Sequence, residues 1–257
     1  MLIATWNVNS LKARMPRVTA WVEENQPDVL CMQETKMKQE VFPTEEFAAL
    51  GYESVHFGQG QWNGVAIISK VGLDKPQANF AVGEADAEAR IVSAVCGGIT
   101  VVCVYVPNGR ELDHDHYHYK LRWMKQLKDH VNAIAKPTGD VVVTGDFNIA
   151  PADIDVWDPA ALAGSTHVSP EERTVLSDLC GWGLTDIYRD QNPDPKLYSW
   201  WDYRDGSFHK GHGMRIDLVL TSASVAKRTT SSVIDRNARK GEKPSDHAPV
   251  MITVSKK

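Results

Sequence analysis

The sequence predicts an α/β protein in which two β-sheets pack face to face with helices on the outside. Three observations predict it. Short apolar runs of strand length recur along the chain. Segments of helical periodicity lie between them. Tight-hairpin signals coexist with longer crossovers, a mixture that does not suit a single parallel sheet.

The strand-like runs are LIATWNV (2–8), DVLCMQ (28–33), GVAIISK (64–70), RIVSAVC (90–96), ITVVCVYV (99–106), DVVVTGDF (140–147), RIDLVLTS (215–222) and APVMITVS (248–255). DVLCMQ is apolar almost throughout, as a strand buried on both faces is. Gly97-Gly98, between two such runs, predicts a tight hairpin. Helical spacing places Val18, Trp21 and Val22 on one face of residues 13–25. It aligns Tyr117, Leu121, Met124, Leu127 and Val131 along residues 115–135. A third helix begins after Ser169: Pro170 suits the first helical position, and Glu172 completes a capping box. It ends near Gly181 and Gly183.

At 257 residues the chain has room for one large domain or two small ones. No low-complexity linker divides it and no short-period repeat appears, so 1–257 reads as one domain. A hydrophobic content of 42% and a charged content of 24% are those of a soluble globular protein. The formal net charge of −5 argues against a generally basic protein that coats nucleic acid. It does not exclude a nuclease, since carboxylates gathered around a metal lower the net charge themselves. Cys31, Cys96 and Cys103 lie in apolar runs, and with Cys180 they form no C-x-x-C pair. They read as small buried hydrophobes in a reducing compartment. With no signal-peptide pattern and no run of membrane-spanning length, the expected location is the cytoplasm.

Polar residues gather where the apolar strands end. Asn7 ends the first, with Asn9 following; Glu34 follows the second. Tyr105 and Asn108 end another, and Asp146 and Asn148 another. Strand ends that share an edge of a layered fold face one cleft. Any single Asp or Asn there can be a turn former, but Glu34 is a poor turn residue. Asp217 stands in an apolar strand and therefore needs a partner. Asp246-His247 precedes the last strand and reads either as a surface turn or as the source of a histidine whose tautomer a carboxylate fixes.

Together these segments resemble the exonuclease III family of DNA repair nucleases, bacterial type, in the endonuclease/exonuclease/phosphatase superfamily. The segments that carry the resemblance are WNVNSLKAR, PDVLCMQETK, GYESVHFGQGQWNGVAIISK, YVPNG, VVTGDFNIAPADID, SPEER, YSWWDYR, GMRIDLVLTS and EKPSDHAPV, in family order over residues 1–254. The resemblance implies a four-layered, DNase I-like sandwich of two mixed sheets flanked by helices. It implies Mg²⁺-dependent hydrolysis of DNA phosphodiesters, with Mn²⁺ as a substitute, on damaged or nicked duplex DNA, by a monomer. Glu34 then looks like the principal metal ligand, with Asn7 and Asp246 near the ion. Asp146, helped by Asn148, would orient or deprotonate the attacking water. His247, paired with Asp217, would hold a phosphate oxygen; His247 as the base is the alternative. Tyr105 would contact the phosphate or the leaving group, and Asn108 the DNA. Lys36, Arg14, Lys240 and Lys243 would meet backbone phosphates, or are solvated surface cations. Trp200, rather than Trp201, would line the sugar pocket, with Met214 and Ile216 as its other walls.

One segment departs from the family. Relatives carry a small residue and then Phe before the capped helix; here His167 and Val168 stand there. An imidazole in that loop would obstruct a nucleotide flipped out of continuous duplex. The expectation is an enzyme that favours 3′-end work (exonuclease, 3′-phosphatase, 3′-phosphodiesterase) over abasic-site incision. The other reading is a solvent-facing loop histidine without consequence, in a full abasic-site endonuclease. A superfamily phosphatase on a small phosphate ester is a further rival, against which SPEER and YSWWDYR speak. The alternating His114, His116 and His118 fit no familiar metal-ligand spacing, and His209 and His212 are at best auxiliary.

Overall fold

The computed structural model describes residues 1–194 and 196–256. Its strands, in chain order, are β1 (Leu2–Asn7), β2 (Val29–Gln33), β3 (Glu53–Phe57), β4 (Val65–Ser69), β5 (Asp74–Ala78), β6 (Ile91–Cys96), β7 (Ile99–Tyr105), β8 (Val141–Asp146), β9 (Leu184–Asp186), β10 (Trp200–Trp201), β11 (Gly213–Met214), β12 (Asp217–Ser222), β13 (Thr229–Ile234) and β14 (Val250–Val254). Two six-stranded mixed sheets result, ordered β13-β14-β1-β2-β4-β3 and β5-β6-β7-β8-β12-β9. β10 and β11 form a small separate ribbon.

The inner faces of the sheets meet in one apolar layer. Ile3, Cys31 and Ile67 come from the first sheet and Val92, Val101, Val142 and Val219 from the second. Outside the first sheet lie α1 (Leu11–Asn25) and α2 (Thr44–Ala49), which bury Leu11, Val18, Trp21, Val22 and Phe47. Outside the second lie α3 (Asp115–Ile134) and α4 (Pro170–Cys180), which bring Trp123, Met124, Leu127, Leu176 and Leu179 onto its outer face. The four expected layers are thus present.

Every strand run read from the sequence is a strand, shortened by a residue or so at its ends. Gly97 and Gly98, at φ 54° and 83°, make the tight turn that pairs β6 with β7. The capping box of α4 is formed: Ser169 Oγ accepts from Glu172 N, and the Glu172 side chain accepts from Ser169 N.

The topology gathers the polar strand ends. β1 and β2 run parallel with Asn7 opposite Gln33, and β7 and β8 run parallel with Tyr105 opposite Asp146. β12 runs antiparallel to β8 and starts at that end, so Asp217 also pairs with Asp146. β14 is antiparallel to β1, which carries Asp246 and His247, just before it, to the same edge.

Candidate active site

The strands deliver a compact polar cluster. Asn7 Nδ2 donates to Glu34 Oε1 at 2.8 Å and to Asp146 Oδ2 at 2.9 Å, so one buried amide joins two carboxylates from different sheets. Glu34 leaves β2 with φ 52° and Asn148 follows β8 with φ 51°. Side chains rarely adopt this left-handed backbone, and its concentration at one edge is typical of functional loops. Gly145 serves the same purpose by absence: a Cβ there would lie 1.9 Å from Val104 O, so only glycine lets β8 carry Asp146 this close to β7.

His247 is buried between carboxylates. Its Nδ1 is 2.8 Å from Asp217 Oδ2 and its Nε2 is 3.8 Å from Asp146 Oδ2. Burial alone would lower its pKa, but Asp217, Asp146 and Asp246 outweigh it, and His247 is pushed up to about 10. Asp146 moves the other way from most carboxylates: burial raises it to about 7 against the pull of His247 and the Asn7 hydrogen bond. Asp146 Oδ1 also accepts from Asn148 N at 2.9 Å, and Asn148 Oδ1 accepts from Asn108 Nδ2 at 3.3 Å. Burial and the nearby Glu34 carboxylate hold the Tyr105 pKa well above the ordinary phenol value.

Glu34, Asp146 and His247 offer ligand atoms that lie within 4.8 Å of one another. With His247 held as a cation, the hard donors are the two carboxylates, a sparse oxygen set that suits a small divalent ion. Asp246 lies apart from that trio. Its Oδ1 accepts from Asn9 Nδ2 at 2.9 Å and its Oδ2 from Trp200 Nε1 at 3.1 Å. Among the described residues no second such cluster occurs, and the alternating histidines form none.

Trp200, Met214, Ile216 and Val168 pack in one apolar cluster with Ala150, Val156 and Leu162. Trp201 belongs instead to the core between the sheets. His167 lies at the edge of the cluster: its carbonyl accepts from Ala150 N at 2.8 Å, and its Nδ1 is 2.5 Å from Asn148 O. Its φ of 77° lies in the left-handed region that favours glycine. Burial and then the Lys120 charge lower its pKa to about 4, and His247 adds to the effect.

The cations divide. Lys36 Nζ is 2.7 Å from Glu34 Oε2 and donates to Asn9 Oδ1 at 2.6 Å. Arg14 donates to Asn9 O and to the Tyr203 hydroxyl. Both are therefore held inside the site's own network, whereas Lys240 and Lys243 are exposed. His212 stacks on Trp157, with centroids 3.9 Å apart. Sequence reasoning missed Arg90, whose guanidinium lies 4.8 Å from the centre of the Tyr105 ring. It missed Ser245, whose hydroxyl donates to Asn7 O and accepts from His247 N. It also missed Lys120, buried beneath Asn108 and Asn148. A lysine on the apolar stripe of α3 was the available signal.

The profile of the Endonuclease/Exonuclease/phosphatase family matches residues 4–247. The chain is 33% identical to Exodeoxyribonuclease III of Haemophilus influenzae, over 97% of this chain and 98% of that protein. It superposes with a TM-score of 0.97 on the 3′-5′ exonuclease NExo of Neisseria meningitidis, at 38% identity, covering 99% of this chain and 100% of the other. NExo from Neisseria also appears as a 3′ phosphatase bound to product DNA hairpin, at 37% identity and TM-score 0.97, with 99% of each chain covered. An AP endonuclease from Archaeoglobus fulgidus gives 0.96 at 35% identity, again with 99% of each chain covered. The chain belongs to the endonuclease/exonuclease/phosphatase family and is a nuclease of the exodeoxyribonuclease III type.

Proposed function

We propose that this nuclease is a single-domain, monomeric DNA repair enzyme that works on 3′ ends in nicked or damaged duplex DNA. It removes nucleotides and 3′-blocking phosphates, and incises internal abasic sites poorly. The observation that carries this reading is His167. Its ring is tied to Asn148 O at the edge of the apolar cluster formed by Trp200, Met214 and Ile216. A nucleotide flipped from continuous duplex toward that cluster would meet the imidazole, while a frayed 3′ end has more freedom to avoid it. NExo of Neisseria, described as a 3′ phosphatase, supports the same direction.

The residues suggest one chemistry for all these substrates. Glu34, joined to Asp146 through Asn7, would hold Mg²⁺, with Mn²⁺ as a substitute, and Asp246 would act from beside them through Asn9. When bound, the ion neutralises charge on phosphate oxygens. Asp146, near pKa 7, takes a proton from water at neutral pH. His247, at about 10, is too strongly protonated to be that base; it donates from Nε2 to a non-bridging oxygen while Asp217 holds its other nitrogen. The water oxygen bonds phosphorus as its proton passes to Asp146, the P–O3′ bond breaks, and O3′ leaves beside Tyr105, whose neutral phenol supplies the proton it takes up. Asn108 and Asn148 position the phosphate.

A substrate panel tests this reading: internal abasic duplex, 3′-phosphate nick, 3′-phosphoglycolate nick and recessed 3′ end, each with and without EDTA. Metal-dependent turnover fastest at the 3′-phosphate is expected. Fastest turnover at the internal abasic site would instead make the enzyme a full AP endonuclease with a neutral His167.

A further inference from the structure

Lys120 and Glu172 form an ion pair that is completely buried, with both side chains 0% exposed and Nζ 2.5 Å from Oε1. Burying an ion pair costs several kcal/mol of desolvation, and a well-packed apolar pair is often as stable or more so. Simple cohesion therefore does not account for it. What distinguishes this pair is where its hydrogen bonds go.

An ammonium has three protons to donate. Lys120 gives one to Glu172, one to Asn108 O at 3.1 Å and one to Asn148 O at 2.6 Å. Those carbonyls belong to the two residues whose amide side chains meet at the site rim. Glu172 is equally committed. Its Oε1 accepts from His167 N at 3.0 Å and is 2.8 Å from the Thr166 hydroxyl, which also reaches Asn108 O. Its Oε2 accepts from Ser169 N and Oγ. The loop after β7, the loop after β8 and the loop before α4 are therefore tied at one point. Gly109 leaves room for it, since a Cβ there would lie 2.6 Å from Thr166 Oγ1. Asn148 O is the hub, because it faces both the Lys120 ammonium and His167 Nδ1. A carbonyl only accepts, so this contact requires the proton on Nδ1 and leaves Nε2 of the neutral ring as an acceptor.

We propose that the Lys120–Glu172 pair is a positioning device for substrate binding: it fixes Asn108, Asn148 and His167 relative to one another and sets the His167 tautomer. The DNA-facing role of those three residues rests on the proposed function; the tautomer does not.

Two measurements test the proposal. In the free wild-type protein, ¹⁵N chemical shifts of His167 should report a neutral ring protonated at Nδ1; a ring protonated at Nε2 overturns the proposal without touching the functional reading. The second uses Lys120→Met/Glu172→Gln, which is neutral and keeps a capping-box residue. It should fold with its unfolding midpoint lowered by about 5–15 °C, because Asn108 O and Asn148 O lose the donor that Lys120 supplies. KM for a 3′-phosphate nick should rise about tenfold, with a smaller change in kcat, and the Nδ1–H tautomer should be lost. A folded double variant with unchanged KM and tautomer reduces the pair to a structural role. If the double variant does not fold, Thr166→Val takes its place, with a KM rise of about threefold expected and an unchanged KM counting against the proposal.

Discussion

His247 Nδ1 lies 2.8 Å from Asp217 Oδ2, and Asp217 is the first residue of a fully buried strand. The contact fixes the imidazole at one nitrogen and turns the other toward Asp146. Asp217→Asn keeps the shape but removes the charge that stabilises the imidazolium. Turnover on a recessed 3′ end should fall by about 10²–10³-fold with little change in KM. A loss below about threefold would show that His247 does not need its partner.

Gly145→Ala should damage both fold and site. The new methyl would meet the Val104 carbonyl, so β8 must move away from β7. Overpacking of this kind costs about 1–3 kcal/mol. Because Asp146 is the next residue, kcat should drop by more than the loss of folded protein explains. Urea denaturation and kcat per folded molecule separate the two effects.

The inner strands were legible because both of their faces are buried and they read as unbroken apolar runs. The strands that escaped the sequence reading in the two sheets are β3, β5, β9 and β13, which are the four sheet edges. β5 is DKPQA, mostly exposed and interrupted by proline. Such edges are kept polar to prevent further pairing, which erases the alternation that marks a strand. The same logic holds at the site. Asn7, Glu34, Asp146, Asp217 and His247 were visible because polar residues beside apolar strands are conspicuous. Arg90 and Lys120 were harder to see: Arg90 faces a ring as well as Glu88, and the only sign of Lys120 was its place on the apolar stripe of α3, which does not reveal that it pairs with Glu172 and two backbone carbonyls. The left-handed backbone at His167 was hidden as well, since an imidazole gives no sign of it.

His130 supplies a pH-dependent test of the core. It is fully buried, its Nδ1 accepts from Ala81 N at 2.9 Å, and burial lowers its pKa to about 4. The unfolded chain takes up a proton near pH 6.5 and the folded chain only near 4. His130 therefore contributes full stability above about pH 6.5 and loses it as pH falls toward 4. His130→Asn keeps an acceptor for Ala81 without titrating. The stability advantage of wild type over this variant should shrink by about 2 kcal/mol between pH 7.5 and 5.0. A gap that stays constant across this range in urea titrations contradicts the account.

Metal removal should silence the enzyme. EDTA should abolish cleavage of every DNA substrate, and Mg²⁺ should restore it. Glu34→Gln should raise the Mg²⁺ concentration for half-maximal activity by about tenfold or more, because a carboxylate is lost from a site that has few. Persistent activity in EDTA would overturn the assignment of Glu34.

The central claim is that His167 selects 3′ ends, and the most direct measurement is a ratio of activities. The rate on a 3′-phosphate nick divided by the rate on an internal abasic duplex is compared between wild type and His167→Ser. Removing the imidazole should lower that ratio by about tenfold or more, chiefly by accelerating abasic-site incision. A serine variant with the wild-type ratio would contradict the account and return His167 to an ordinary loop residue.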